Sequence, residues 1–457
     1  MTSTAIALFT RDLRMHDNPT LLAAAEAADR VLPLFVLDED VLGSSFLSPN
    51  RATFLVDALH DLDEALKARG SHGLVVRRGD PAVEVAALVA ETGAEQVHLS
   101  ADWSGHAQRR RRRLGKALAD TGAELVLHDE TIAVVPPGAV TPNDKDHFSV
   151  FTPYHRRWLD QPRRHVLDAP SRLPSPTVRK GRIPAAKSLC SGDRAPHLPQ
   201  GGETAGRTRM HGWLRASVPG YEAHHDDLYG DRTTRLSPYL HFGCVSPTEL
   251  VSKAGRSRGG DALVRQVAWR DFNLQLLAAR PEVAVEDYRG HGDRWRDDEE
   301  AFTAWREGRT GYPIVDAAMR QLVSEGWMHN RGRLITASFL TKTLYVDWRE
   351  GARYFAHHLL DGDVANNQLN WQWVAGTGTD TRPNRVLNPL RQAERFDPHG
   401  AYVRRYVPEL AGVQGPEVHE PWKLPPEVRA DLDYPEPIVD LAEGRQRFLE
   451  ARQGGAR

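Results

Sequence analysis

Between Gly311 and Trp373 the chain collects side chains that stack on planar rings, give up electrons and hold polar ligands. Seven of its eleven tryptophans fall between Trp269 and Trp373, beside the Asp361/Asp363 pair and the amides of Asn330, Asn366 and Asn367. A helical core uses a few indoles as packing, but so many oxidisable rings in one stretch point to a site. Upstream, Thr233-Thr234-Arg235-Leu236-Ser237-Pro238 sets hydroxyls and a guanidinium ahead of a helix, with Ser237 as the expected N-cap and Pro238 at the first helical position. Free amides at such a start favour an anion. Metal chemistry is not indicated. His224-His225 and His357-His358 lack an HExxH context, and the only cysteines, Cys190 and Cys244, lie far apart and outside any CxxC pattern. The same cysteine usage argues against a disulfide framework and for the reducing cytoplasm.

Elements must hold these residues in place. With 457 residues, 40% of them hydrophobic, the chain can bury more than one core. Short apolar runs at 6–9, 31–37, 74–76, 97–99 and 124–127 alternate with helical stretches such as 18–28 and 51–69. This predicts an α/β N-terminal domain over residues 1–130, a parallel Rossmann-like sheet with ligands near the carboxyl ends of its strands. No GxGxxG follows the first strand, which runs instead into Arg11-Asp12-Leu13-Arg14 and so disfavours a nicotinamide cofactor. Prolines punctuate a long interdomain linker over 131–205, within which 150–158 is aromatic enough to pack on a neighbour. Residues 206–457 read as an all-α domain. Within it Ile314, Ala318 and Leu322, with Val315, Met319 and Val323 beside them, mark one helix face, and Gly326 is placed to cap it.

A net charge of −2 gives no global basic signal, so any nucleic-acid contact must come from a local patch. Arg109 to Arg113 spread around a helix instead of along one face and read as a solvated surface. No stretch approaches the ~18 apolar residues of a membrane span, and the run at 5–9 is too short for a signal core, so a soluble protein is expected.

Taken in order, LFTRDLRMHDN, TTRLSPYLHFG, AWRDF, TGYPIVDAAMRQL, GWMHNR, DGDVANNQLNWQW and YVPEL…HEPWKL resemble the photolyase/cryptochrome family, closest to its class I cyclobutane-pyrimidine-dimer photolyases, over nearly the whole length. The resemblance implies that the helical domain binds FAD, fully reduced when active. Tyr221, Thr233, Thr234, Arg235, Leu236 and Ser237 match residues that hold FAD through its diphosphate. Asp361, Gly362 and Asp363 match residues beside the ribose and isoalloxazine, and Arg333 matches the arginine paired with the first of those aspartates. Asn367 matches the position facing flavin N5. A carboxamide there has no proton to give at neutral pH, unlike the aspartate of plant cryptochromes, and fits an enzyme working from anionic reduced flavin. Trp371, Trp348 and Trp295 match a three-indole chain that carries an electron from the surface to excited flavin, a chain that cryptochromes share.

On the DNA side, Trp269 and Trp373 match aromatics that line a cavity for a flipped-out dimer. Stacking worth roughly 1–3 kcal/mol per base there offsets an extrusion cost of a few kcal/mol. Asn330, Arg331 and Gln392 match residues that touch the lesion or its flanking phosphates, and Arg270, next to Trp269, is grouped with them. Gln266 stands where many class I enzymes carry a glutamate; Gln is typical of (6-4) photolyases and animal cryptochromes. The histidine pair of animal-type (6-4) enzymes is nevertheless replaced at the matching positions by Asn330 and Leu334. Leu334 and His225 also depart from the Met and Arg often found in class I. The 102–113 stretch lacks the Asn-Glu pair associated with a folate antenna, so an 8-hydroxy-deazaflavin is the expected chromophore, with Phe35, Asp38, Arg51 and Asp102 as pocket candidates. The resemblance therefore implies a carbon–carbon lyase that repairs UV-damaged DNA by light-driven electron transfer, as a monomer with no membrane partner. The rivals are a cryptochrome photoreceptor, which usually carries a long C-terminal extension, and a (6-4) photolyase.

Overall fold

A computed structural model describes residues 2–454. Five strands, β1 (Thr4–Phe9), β2 (Arg30–Asp38), β3 (Val75–Gly79), β4 (Gln96–Ser100) and β5 (Glu124–His128), form one parallel sheet in the order β3-β2-β1-β4-β5. All of β1 and most of β2 are buried. A sheet covered by helices on both faces selects continuous apolar runs over alternation, which is why these strands stand out in the sequence. The covering helices start on side-chain caps followed by proline: Asn18 before Pro19–Ala27, Ser48 before Pro49–Lys67 and Asp80 before Pro81–Thr92. Strand order reverses between β1 and β4, and the carboxyl ends of those strands are the expected ligand edge.

The chain groups into two compact units. One comprises Met1–Arg194, Pro199–Pro219 and Thr234–Pro281; the other comprises Ala195–Leu198, Gly220–Thr233 and Glu282–Arg457. These boundaries differ from breaks at 130 and 205, and buried polar bonds explain why. In the first unit, Asp271 of the Arg258–Ala279 helix accepts from the backbone N–H groups of Val134 and Val135, both at 3.0 Å, and from Trp158 Nε1 at 2.9 Å. The stretch expected as a linker is thereby fastened to a helix expected in the other domain. Burial pushes the Asp271 carboxyl up to about 6 despite these donors and the Arg270 charge. Glu203 does similar work, accepting from the N–H groups of Met15 at 2.7 Å and His16 at 3.0 Å.

The second unit is helical around a buried cluster that includes Trp305, Trp348, Phe355, Trp371 and Tyr402. In the Pro313–Glu325 helix, Ile314, Val315, Ala318, Met319 and Leu322 are buried as their period predicts, and Gly326 ends the helix at φ 60°. Val323 departs from that face and is 42% exposed, because roughly two and a half turns past Ile314 it has come round to the far side. Among the described residues no helix is long and apolar enough to cross a membrane, and no cluster of His, Cys, Asp and Glu could hold a metal ion.

Candidate functional site

The indoles of the second unit are set by two helices. Asp363 caps the Val364–Ala375 helix, accepting from Asn366 N at 2.9 Å, and so fixes the rotation that turns Trp371 inward. Trp371 is buried edge-on to Phe355, with centroids 4.9 Å apart, and to Trp305 at 6.1 Å. Its ring lies over Gly351 of the Trp348–His358 helix, so closely that an added Cβ would overlap it. Trp348 is three residues back, at the start of that helix. Trp348 is fully buried, donates from Nε1 to Asp287 at 2.8 Å and lies under the Arg349 guanidinium at 4.7 Å. Trp295 is half-buried, with its ring 5.0 Å from that of Tyr345. Trp305 and Tyr345 were not marked out by spacing. Gly351→Ala tests the close approach: it is expected to cost about 1–3 kcal/mol by overpacking, outweighing any gain in helix propensity, and to appear as a lower urea midpoint. Unchanged stability would mean that the ring does not press on Gly351.

Two aspartates that look alike in the sequence do different work. Asp363 is the cap, whereas Asp361 Oδ2 accepts from Arg333 Nη2 at 2.8 Å, with Arg333 Nε bound to the Met328 carbonyl at 2.9 Å. Gly362 joins them in a tight turn, with Asp363 N donating to the Asp361 carbonyl at 2.6 Å. Asp361 Oδ1 is buried without a hydrogen-bond partner, and so is Thr233 Oγ1. Buried atoms in that state call for a polar ligand, and the hydroxyl and N–H groups of a flavin nucleotide suit them. The Asn367 carboxamide is oriented by its Nδ2, which donates to the Ala352 carbonyl at 3.0 Å and to Gln368 Oε1 at 3.1 Å. Tyr221 opens a short helix, and burial, then the Asp226 charge, push its phenol up to about 12.

In the same unit Asn330 is exposed at the start of the Asn330–Ser338 helix. Arg331 is held by Asp226 Oδ2 at 2.6 Å and lies 4.3 Å over the Phe396 ring. Leu334 packs on the apolar core, Trp373 lies under the Arg385 guanidinium at 5.2 Å, and Gln392 Oε1 is buried without a partner.

In the first unit, Gln266 and Trp269 sit one turn apart on the Arg258–Ala279 helix, Gln266 exposed and Trp269 half-buried. Trp269 stacks flat on Phe151, with centroids 3.7 Å apart and planes 5° from parallel, and meets the edge of Phe272 at 5.5 Å. The aromatic stretch at 150–158 thus packs on a neighbour, and that neighbour is Trp269. The Arg270 guanidinium donates to the carbonyls of Ile132 and Leu240, because a nearly buried cation needs acceptors within the fold. Ser237 is not the N-cap. Thr234 Oγ1 accepts from Leu236 N at 3.2 Å and Arg235 turns the chain at φ 50°, which puts Leu236 at the cap and makes Ser237 the first residue of the Ser237–His241 helix. Pro238 moves one place into the helix accordingly.

At the carboxyl edge of the sheet, Asp38 accepts from His106 Nε2 at 2.9 Å, and Asp102 pairs with Arg11 Nη1 at 3.1 Å. Phe35 is buried in β2, and Arg51 is buried with Nε on the Phe46 carbonyl at 2.7 Å. The five-arginine run is not a uniformly solvated surface. Arg109, Arg111, Arg112 and Arg113 are exposed, but Arg110 turns toward Asp102, Asp38 and Asp12; burial pulls its pKa down and those carboxylates oppose the shift. Arg11, His106 and Arg110 are thus polar members of this edge that sequence spacing did not identify.

Residues 263–454 match the family described as FAD binding domain of DNA photolyase, and residues 5–176 match DNA photolyase. A deoxyribodipyrimidine photo-lyase of Streptomyces griseus is 56% identical over 454 residues, covering 98% of this chain and 99% of its own. Among solved structures, a bacterial class III photolyase from Agrobacterium tumefaciens superposes with a TM-score of 0.93 at 32% identity, covering 100% of this chain and 98% of its own. An archaeal photolyase from Sulfolobus tokodaii, described with two FAD molecules and a novel light-harvesting cofactor, superposes with a TM-score of 0.87 at 30% identity, over 99% of this chain and 100% of its own. Likeness of this degree, maintained from end to end in sequence and in fold, means that the chain belongs to the photolyase/cryptochrome family and carries its FAD-binding domain.

Proposed function

We propose that the chain is a DNA photolyase that splits cyclobutane pyrimidine dimers under blue light. The observation that carries this reading is the end-to-end likeness to deoxyribodipyrimidine photo-lyases. FAD supplies, when bound, reduced and excited, the electron that opens the ring and to which that electron returns. The protein's part is binding and orientation. In the second unit Tyr221, Thr233, Arg333, Asp361, Gly362 and Asp363 are the proposed FAD ligands, and in the first Thr234, Arg235, Leu236 and Ser237. The Arg333–Asp361 pair supports this, since it aims a buried carboxylate with one oxygen still in need of a donor. Asn367, its amide fixed by the Ala352 carbonyl, offers hydrogen bonds but no acidic proton. Trp371, Trp348 and Trp295 relay electrons to the flavin for photoreduction.

Trp269 and Trp373 stack on the flipped dimer, Gln266 donates to a thymine carbonyl, and Asn330, Arg331 and Gln392 hold the lesion strand while Leu334 borders it. Phe151 backs Trp269 across its face, so the indole meets a base without reorganising. Trp269→Ala is expected to weaken binding of a dimer-containing oligonucleotide by about 10- to 100-fold in a fluorescence anisotropy titration, with little change for undamaged duplex. Equal loss for both DNAs would remove Trp269 from lesion recognition. The antenna reading is a deazaflavin at the Asp38 and Asp102 edge, in preference to folate, and the protein is proposed to act as a cytoplasmic monomer.

The deciding experiment is recovery of thymine absorbance when reduced protein and dimer-bearing oligonucleotide are lit with blue light beside a dark control. Recovery in light alone supports the reading and shows that Gln266 is tolerated. No recovery with flavin bound and fully reduced overturns it and makes the (6-4) photoproduct the next substrate.

A further inference from the structure

Trp295, the outermost indole of the proposed chain, has a phenol against it. The Tyr345 ring lies 5.0 Å from the Trp295 ring, tilted by 43°. The backbone fixes this neighbourhood, because Arg296 N donates to the Tyr345 carbonyl at 2.9 Å and Arg296 bridges to Val346. Tyr345 is 3% exposed, and its hydroxyl donates to Asp293 Oδ1 at 2.9 Å. Asp293 is equally buried and is paired at 2.9 Å with Arg452 Nε, while Arg452 Nη2 donates to the Ala375 carbonyl at 2.8 Å. Phe448 closes the ring edge at 6.2 Å.

Two features are costly unless they serve something. Tyr345 holds φ at 60°, a conformation in which a side chain bearing a Cβ is disfavoured and glycine or asparagine is at ease. A backbone outlier of this kind survives only where surrounding contacts over-determine it. The polar trio of Tyr345, Asp293 and Arg452 also sits where apolar side chains would pack with less desolvation. Burial and the neighbouring carboxylate push the phenol pKa up, so Tyr345 keeps its proton at rest.

A phenol yields an electron readily only when its proton leaves at the same time, which requires a base within hydrogen-bond reach of about 2.6–3.2 Å. Asp293 is that base. We propose that Tyr345 is a fourth redox station, giving an electron to oxidised Trp295 while its phenolic proton passes to Asp293. The inference rests on the three-tryptophan reading for the source of oxidised Trp295. One electron moves from the Tyr345 ring to the Trp295 radical cation and restores neutral indole. The O–H bond breaks, an O–H bond forms on Asp293 Oδ1, and a neutral tyrosyl radical and a neutral carboxylic acid remain. The electron first taken from Trp295 has gone up the indole chain to excited, oxidised flavin, so no other oxidant is needed. The summed charge of Trp295, Tyr345 and Asp293 is zero before and after, which suits a buried step. Arg452, with Nε 2.9 Å from Asp293 Oδ1, acts as a positioning residue for that carboxylate. The resulting radical is neutral, and the returning electron must be accompanied by the proton held on Asp293, so charge recombination slows.

Electron paramagnetic resonance on the flavin-loaded, oxidised protein, frozen during illumination, tests this. The expected spectrum is tyrosyl. It narrows when the protein is grown on ring-deuterated tyrosine, a check that needs no mutation. Tyr345→Phe, verified by flavin content and melting temperature, is expected to leave a tryptophanyl signal that decays about tenfold faster, and Asp293→Asn to lower the tyrosyl yield. A second arm oxidises the partly exposed Trp295 in the dark by rapid mixing with a preformed ruthenium(III) complex. A tyrosyl signal there but none under light upholds the Trp295–Tyr345 step and removes the three-indole reading. A tryptophanyl radical alone in both arms, or a tyrosyl signal that survives Tyr345→Phe, overturns the proposal.

Discussion

Trp371→Phe is expected to slow light-driven reduction of the flavin by at least about tenfold, equivalent to ~1.4 kcal/mol on the barrier, while the protein remains folded. A phenyl ring occupies part of the same slot between Phe355, Trp305 and Gly351, but it is far harder to oxidise than indole. The lost ring volume leaves a cavity costing on the order of 2 kcal/mol, enough to lower the melting temperature by several degrees without unfolding the unit. The measurement is the decay of oxidised flavin absorbance under blue light with an external donor. Reduction at the unsubstituted rate would displace Trp371 from the chain. Trp305, with its ring 6.1 Å from that of Trp371 and its Nε1 on the Thr336 carbonyl at 3.0 Å, would then be the indole to replace next.

Arg333→Ala is expected to yield protein that folds but purifies largely without flavin. Removing one partner of a buried ion pair typically costs 3–5 kcal/mol because the other charge is left uncompensated. Arg333 keeps 25% of its side-chain exposure, so water and salt screen part of this, and about 2–3 kcal/mol is the sounder expectation, or roughly 30- to 150-fold in flavin affinity. Arg333→Lys is expected to recover little, since lysine cannot hold both Asp361 and the Met328 carbonyl as the guanidinium does. A double variant, Arg333→Met with Asp361→Leu, separates two roles. If the pair only holds helices together, packing restores stability and flavin alike; if it serves the cofactor, stability returns and flavin does not. Flavin-to-protein absorbance ratio and urea midpoint read the two quantities. Full flavin occupancy in Arg333→Ala would end the assignment.

Much of the framework is legible in the chain because its causes are local. The inner strands β1 and β2 are runs of apolar residues wide enough to cover both faces, and Asn18, Ser48 and Asp80 followed by proline mark where helices begin. The 311–373 stretch shows its chemistry by residue type alone, since few other reasons collect so many indoles beside paired aspartates. Resemblance then named Arg333 and Asp361 as partners, and they meet at 2.8 Å.

Other features depended on particular bonds that residue type and spacing do not reveal, most of them between positions far apart in the chain. Ser237 loses the cap to Leu236 because one hydroxyl, that of Thr234, closes a turn a residue early. Arg270 reads as a DNA contact and Arg110 as part of a solvated surface, yet each is drawn inward, one by the carbonyls of Ile132 and Leu240, the other by three carboxylates. Residues 131–205 read as a linker, yet Asp271 ties Val134, Val135 and Trp158 within that stretch to its own helix. Tyr345 carries no signal in sequence; its place beside Trp295 and Asp293 comes from a backbone bond across 49 positions, from Arg296 to Tyr345. Composition and periodicity therefore determined which segments are buried and which residue types could react, because those depend on hydrophobicity at short spacing. Tertiary structure alone decided which polar groups are paired, because desolvation forces each buried charge to find a partner wherever the fold brings one.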